Sequence, residues 1–448
     1  MTVHYIKGGE EMSRVSAALA CQRFLGSHTY SAIAEVISSI HGSYGLTVDK
    51  ITATVTDNAS NFGKAFREFL FQVEMTEDED HHNDIDVDVD NISEVLSVQS
   101  DYNGDDDIDH SSLPHHETCC SHSLNLLATV DADKVTDTTH KRLYRAALGK
   151  CTAIWNATHR SSKASDAVKL ITDKAIITPG ATRWNSQYDA VNRLLQIGVK
   201  LNEVRQAVNT PEFKKSELEC LNEYVSVMQP IAIALDKLQG EKEAFYGHIM
   251  PTLHMVMTKL KAMQRRILVH CQPLVAALLE GMERRFEKEL TFSGTASDKI
   301  IAAISHPFFK MRWLPEDKKD SCRELFIQAV RACDSSSNSS TDHAAQAQGN
   351  AELDDFFDFG TTESTDAAVN AVDRECINYL SDNDTELTML ARYSRIQKVF
   401  MKFNTTLPSS APVERLLSTA GQIEVSRHNL LSDSMFEKLL LLKANQEQ

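Results

Sequence analysis

The chain has 448 residues and a mass of 50.0 kDa, room for two to four domains at about 100–200 residues each. Its 42% apolar and 24% charged residues are ordinary globular values, and a mean hydropathy of −0.30 with no long apolar run argues against a membrane span. With 46 basic and 63 acidic residues the net charge is −17, which taken whole argues against a nucleic-acid binder. In chain order, Thr2–Ile6 and Val15–Ala20 read as short strands. Tyr30–Tyr44 carries Ile33, Val36, Ile37 and Ile40 at helix spacing. Ile51–Thr56 alternates at period two with β-branched residues and predicts a strand. Asp57-Asn58-Ala59-Ser60-Asn61 follows as a polar turn, and Phe62, Phe66, Phe69 and Leu70 mark the next helix face. Strand, turn, helix is α/β grammar, and it places Asp57 at the carboxyl end of a strand, where open sheets collect functional groups.

Residues 74–117 hold 16 Asp/Glu and no Lys or Arg, and residues 334–373 hold nine, again with no Lys or Arg. Both are expected to be disordered, because neither can bury enough apolar area to offset chain entropy. Cys119–Val130 and Thr182–Ile197 predict helices, the second with Tyr188, Val191, Leu194 and Leu195 on its apolar face. Between them Ala175–Ile177 predicts a short strand stopped by Pro179-Gly180. From there to residue 333 the pattern is helical, with breaks expected at Pro211, Pro230, Gly247, Pro251, Pro273 and Pro307. Met389–Phe403, an irregular Pro408–Pro412, Val413–Gly421 and Met435–Leu442 complete the chain. The last is apolar almost all round, the mark of a helix buried in a core or a subunit interface. Nine scattered cysteines fit reduced thiols in an intracellular protein, and Met1-Thr-Val-His-Tyr-Ile lacks the pattern of a signal peptide. Outside the two acidic segments 46 basic residues face 38 acidic ones, a net of +8, so the acidity belongs to the segments and the rest is mildly basic.

Four motifs carry chemistry, each with two readings. Asp57 either caps the following helix or offers hard oxygens to a divalent metal, with Asn58 in the same turn. Cys119 and His122, at i and i+3, are either a local packing motif or, with His115 and His116, zinc ligands. Thr182-Arg183-Trp184-Asn185-Ser186 either anchors a helix by a buried Trp184 or holds phosphate with Arg183 and stacks an unpaired base on Trp184. Glu414, in the first turn after Pro412, either favours the helix start or binds metal from it.

Together and in this order, these motifs resemble the hAT superfamily of DNA transposases and their BED-zinc-finger relatives. The likeness rests on Thr56–Asn61, Cys119-x-x-His122 with Leu124-Asn125-Leu126, Thr182–Ser186, His306-Pro307-Phe308-Phe309-Lys310-Met311-Arg312-Trp313-Leu314, and Pro408–Arg415 running on to Asn445. It implies α/β plus all-α architecture: an incomplete RNase H-like fold interrupted by a large helical insertion, with a helical C-terminal dimerisation segment. The implied division is 1–73 and 118–197 for the RNase H-like part, 74–117 for an acidic insert, 198–333 for the insertion, 334–373 for a linker and 374–448 for dimerisation. The family's active site is two Asp and one Glu holding two Mg²⁺ ions; Asp57 matches the second Asp and Glu414 the Glu. The first Asp and its strand are expected upstream of Thr2, and no BED finger is found in the sequence. The resemblance makes Val413, Leu416, Leu417, Leu439, Leu440 and Leu442 dimerisation residues and Arg183 and Trp184 DNA-handling residues. The expected function is therefore a nuclear, self-associating, transposase-derived protein with residual DNA affinity and vestigial catalytic residues, Asp57 and Glu414. An active Mg²⁺-dependent transposase or nuclease is the alternative.

Overall fold

The computed structural model describes residues 1–9, 12–24, 26–69, 113–180, 185–338, 364–423 and 431–446. The bulk of the acidic insert, most of the second acidic segment, and Arg183 and Trp184 lie outside them. Strands β1 (Thr2–Lys7) and β2 (Ser13–Ala18) are followed by helix α1 (Tyr30–Ser43), strand β3 (Thr54–Thr56), helix α2 (Ser60–Glu68) and strand β4 (His116–Thr118). Helices then dominate: α3 (Cys120–Leu126), α4 (Thr138–Arg160), α5 (Ser162–Thr172), α6 (Ser186–Leu195), α7 (Leu201–Ala207), α8 (Lys215–Leu238), α9 (Ile249–Gln264), α10 (Gln272–Arg285), α11 (Glu287–Thr291) and α12 (Ser297–Ser305). The chain continues through α13 (Lys319–Asn338), α14 (Ser364–Ser381), α15 (Ser394–Asn404), α16 (Ala411–Ile423) and α17 (Asp433–Gln446). The described chain is thus mostly helical with a small α/β part made of two two-stranded sheets, β1–β2 and β3–β4.

Two compact units divide it. One comprises Phe24–Thr54 and Ala59–His116. Here α1 packs on α2, and Ile33, Ala34, Ile37, Ile40, Ala65 and Phe66 are buried. Thr29 caps α1 by accepting the Ala32 N–H at 3.3 Å, and His116 stacks on Phe66 with centroids 4.5 Å apart.

The other unit comprises Met1–Arg23, Val55–Asn58 and Glu117–Gln448. Its hairpin pairs Thr2 with Ala18 and Ile6 with Arg14 in antiparallel register. Helices α4, α6, α8, α9 and α10 supply the larger core, with Ile154, Val191, Leu221, Leu235, Leu253 and Leu278 buried. Helices α12 to α15 supply a second core around Ile304, Phe326, Tyr379, Leu390 and Phe400. Gly247 makes the junction tight. A Cβ there would stand 2.4 Å from the Ala302 carbonyl oxygen, so only glycine fits. The buried Asn404 fastens the same junction, accepting the Gly247 N–H at 2.9 Å and donating to Ala302 O at 3.0 Å. Beside it His306, of the His-Pro-Phe-Phe motif, is enclosed by Phe309, Phe245 and Phe400, its ring 5.1 Å from that of His248. Burial pushes His306 down to about 3 and His248 down to about 4.

Several expectations are corrected. Pro230 lies inside α8 without ending it. Its ring nitrogen forfeits one helical bond, but Val227, Met228, Ile231 and Leu235 are buried around it, and that packing offsets the loss. Pro251 and Pro273 stand in the first turns of α9 and α10, where a missing N–H costs nothing. Ala175–Ile177 forms no strand, because no neighbouring strand pairs with it among the described residues. The strand expected over Ile51–Thr56 is only Thr54–Thr56, preceded by a 3₁₀ turn at Val48–Lys50. Helix α13 runs to Asn338 and α14 begins at Ser364, so both ends of the second acidic segment are helical; Asp334 pairs with Arg395 and Asp373 with Arg331. Within its own chain helix α17 is covered on one face only. Leu440 is fully buried with Ala18, Leu416 and Ala420, whereas Leu439 is 39% and Leu442 60% exposed. The α17 packing seen is against α16 and β2 of the same chain, which covers one face.

Candidate functional site

Three of the four motifs meet in one place. The turn after β3 begins with Thr56, whose carbonyl accepts the Cys119 N–H at 2.8 Å. The Cys119 sulfur, fully buried, accepts the His122 N–H at 3.2 Å and the Ser410 N–H at 3.3 Å. It therefore caps α3 and also holds the segment leading into α16. The Cys120 N–H donates to the Pro408 carbonyl at 3.1 Å, and Ser409 Oγ accepts the Ala411 N–H at 3.0 Å, so the Pro408–Pro412 stretch is fixed though irregular. Asn58 Nδ2 donates to Ser123 Oγ at 2.9 Å, tying the Asp57 turn to α3. The zinc reading of Cys119 and His122 gives way to this backbone role, and among the described residues no third metal-ligating group joins them closely.

The electrostatics centre on Asp57. Partial desolvation holds the Glu414 carboxyl above the usual range; Arg415 opposes this and the Asp57 carboxylate adds to it. Burial lowers His122, Asp57 opposes that shift, and Arg285 reinforces it. Asp57, His122, Glu414 and Arg285 thus share one field. Arg285 was not visible as a site residue in the sequence, where it is one of two arginines ending α10. It is placed by a π-turn, Leu127–Asp131, that follows α3 and carries the buried Asp131. Asp131 accepts from both Arg284 and Arg285. Helix α10 comes this close because Gly281 has no Cβ; one would lie 2.6 Å from Leu127 Cδ1 and 2.9 Å from Asp131 Oδ2.

Asp57 and Glu414 are two carboxylates that feel each other's charge, and a single hydrated Mg²⁺ ion takes one or two carboxylates and keeps its waters. Among the described residues no third His, Cys, Asp or Glu closes a cluster with Asp57 and Glu414. A two-metal centre needs such a bridge to clamp both the attacking and the leaving oxygen.

The remaining expected site residues are dispersed. Arg183 and Trp184 lie outside the described residues; the adjoining Asn185 donates to the Ala232 carbonyl and to Asp236 Oδ1, each at 2.9 Å. Of the expected dimerisation residues, Leu416 and Leu440 are buried within the chain, Val413 is half-buried, and Leu417, Leu439 and Leu442 are exposed. No described helix is long and apolar enough to cross a membrane. No protein-family model matches the chain, and no curated protein matches it.

Proposed function

We propose that the chain is a hAT transposase-derived protein, RNase H-like in its α/β part, that self-associates through its C-terminal helices and retains DNA affinity without strand-transfer activity. The observation that carries this reading is the meeting of three segments at Cys119, whose N–H donates to the Thr56 carbonyl beside Asp57 and whose sulfur accepts the N–H of Ser410, 291 residues further on and four before Glu414. Motifs matched by chance have no reason to be neighbours. Self-association is supported by the exposed Leu417, Met435, Leu439 and Leu442 on α16 and α17. DNA affinity is supported by the +8 charge outside the acidic segments, and nuclear residence goes with that reading. Inactivity is supported by the family's carboxylate triad having only two counterparts among the matched motifs, Asp57 and Glu414.

Light scattering after size exclusion tests the association. A dimer mass is expected for the full chain, falling to the monomer mass in a Leu417→Asp/Leu439→Asp/Leu442→Asp variant; a monomeric full chain overturns the reading. The alternative, a Mg²⁺-dependent nuclease, is supported by the Asp57–Glu414 proximity. It requires Mg²⁺-dependent nicking of DNA that is lost in Asp57→Ala, and equal nicking by both chains rejects it.

A further inference from the structure

A second set of metal-ligating side chains sits in the larger helical core, away in sequence from every motif above. His140 lies in the first turn of α4, Cys220 on α8, and Cys271 immediately before α10. All three are buried, and their ligand atoms lie within 4.8 Å of one another. A tetrahedral zinc ion at about 2.3 Å from sulfur and about 2.0 Å from nitrogen holds its ligand atoms roughly 3.5–3.8 Å apart. The observed cluster accommodates that spacing.

Its surroundings are those of a metal site. His140 Nδ1 lies 2.8 Å from the His270 carbonyl oxygen. A carbonyl only accepts, so the proton is on Nδ1 and the lone pair on Nε2, the way outer partners orient metal-bound imidazoles. The loop that presents this carbonyl and the Cys271 sulfur is itself fixed. Glu223 accepts the N–H groups of Val269, His270 and Cys271, each at 2.8 Å.

We propose that His140, Cys220 and Cys271 bind one zinc ion that joins α4, α8 and the start of α10. Binding replaces two S–H bonds with two Zn–S bonds and releases both protons to solvent. The two thiolates neutralise the ion's double charge, which makes the complex tolerable in an apolar core. Three buried ligands on separate elements assign the ion a structural place, loaded as the core assembles.

The test uses the full-length chain purified under reducing conditions. Elemental analysis is expected to give one zinc per chain. Cobalt(II) is expected to replace it at one equivalent with a thiolate-to-cobalt charge-transfer band, and X-ray absorption at the zinc edge to report two sulfur neighbours. Cys220→Ser and Cys271→Ser should each lose the metal and the band. Cys151→Ser, in the same core, and Cys119→Ser should keep both. If the first two variants fail to fold, the stoichiometry and absorption of the unaltered chain still decide the matter. No bound metal and no cobalt band, a disulfide between Cys220 and Cys271 in metal-free protein, or metal loss in Cys119→Ser would overturn the proposal.

Discussion

Acid should unfold this protein through its buried imidazoles, and the size of the effect follows from where they sit. His306 is enclosed by Phe245, Phe309 and Phe400, and His248 packs against it. His4, on β1, is held at 2.8 Å from Ser16 Oγ. Burial lowers them from 6.5 to about 3 for His306 and about 4 for the other two. A depressed folded-state pKa stabilises the fold above the unfolded value of 6.5, and that stability is lost as pH falls toward the folded value. Near pH 5 each unfolded ring is almost wholly protonated and each folded ring largely neutral, which costs about 2 kcal/mol per ring relative to neutral pH. Three rings cost about 5–6 kcal/mol, comparable with the whole stability of a typical domain, about 5–15 kcal/mol. Urea unfolding followed by circular dichroism should show this as a large fall in midpoint between pH 7 and about pH 5. His306→Asn keeps an acceptor for the Phe308 N–H, now 3.2 Å from Nδ1, but cannot take up a proton. It should lose about 2 kcal/mol less than the unaltered chain over the same interval. Equal losses in the two proteins, or no fall in either, would refute the assignment of acid sensitivity to these buried rings.

Gly281→Ala forces a Cβ to 2.6 Å from Leu127 Cδ1 and should destabilise by about 1–3 kcal/mol in thermal or urea unfolding. Gly149→Ala, in α4 with nothing within 4 Å of the added carbon, should instead stabilise by up to about 1 kcal/mol. Asp57→Asn removes the charge that raises both Glu414 and His122, so both pKa values should fall in a carboxyl and imidazole NMR titration; an unmoved Glu414 would contradict the shared field.

Local pattern was legible wherever one face decides the element. The spacing of Ile33, Ile37 and Ile40 gave α1, and the alternation before Asp57 located β3, shortened at its start. Pro230 misled because a proline rule describes an isolated helix, whereas α8 is held by the packing around it. Leu439 and Leu442 show the limit of apolarity as a signal: it says that a helix has something to cover, without saying whether its own chain or another covers it. The Asp57, Cys119–His122 and Glu414 set was legible as separate motifs, and their meeting depends on Cys119, whose sulfur bonds to backbone rather than to a recognisable partner residue. The His140, Cys220 and Cys271 cluster left no trace in spacing, since its members come from three helical segments far apart in the chain. Arg285 was equally hidden, because a π-turn places its Asp131 partner and a helical wheel gives no warning of one.

The double capping by Cys119 has a consequence for the order of events during synthesis. The sulfur emerges from the ribosome 291 residues before the Ser410 N–H that it accepts. At about 5–20 residues per second this is a delay of roughly 15–60 s. In that interval α3 can form and the helical core can assemble, but the Cys119 sulfur has only its local His122 partner and Asp57 lacks the charge of Glu414. The carboxylate pair is therefore among the last features of the nascent chain to be completed, and a ribosome that stops short of α16 releases a helical core without it.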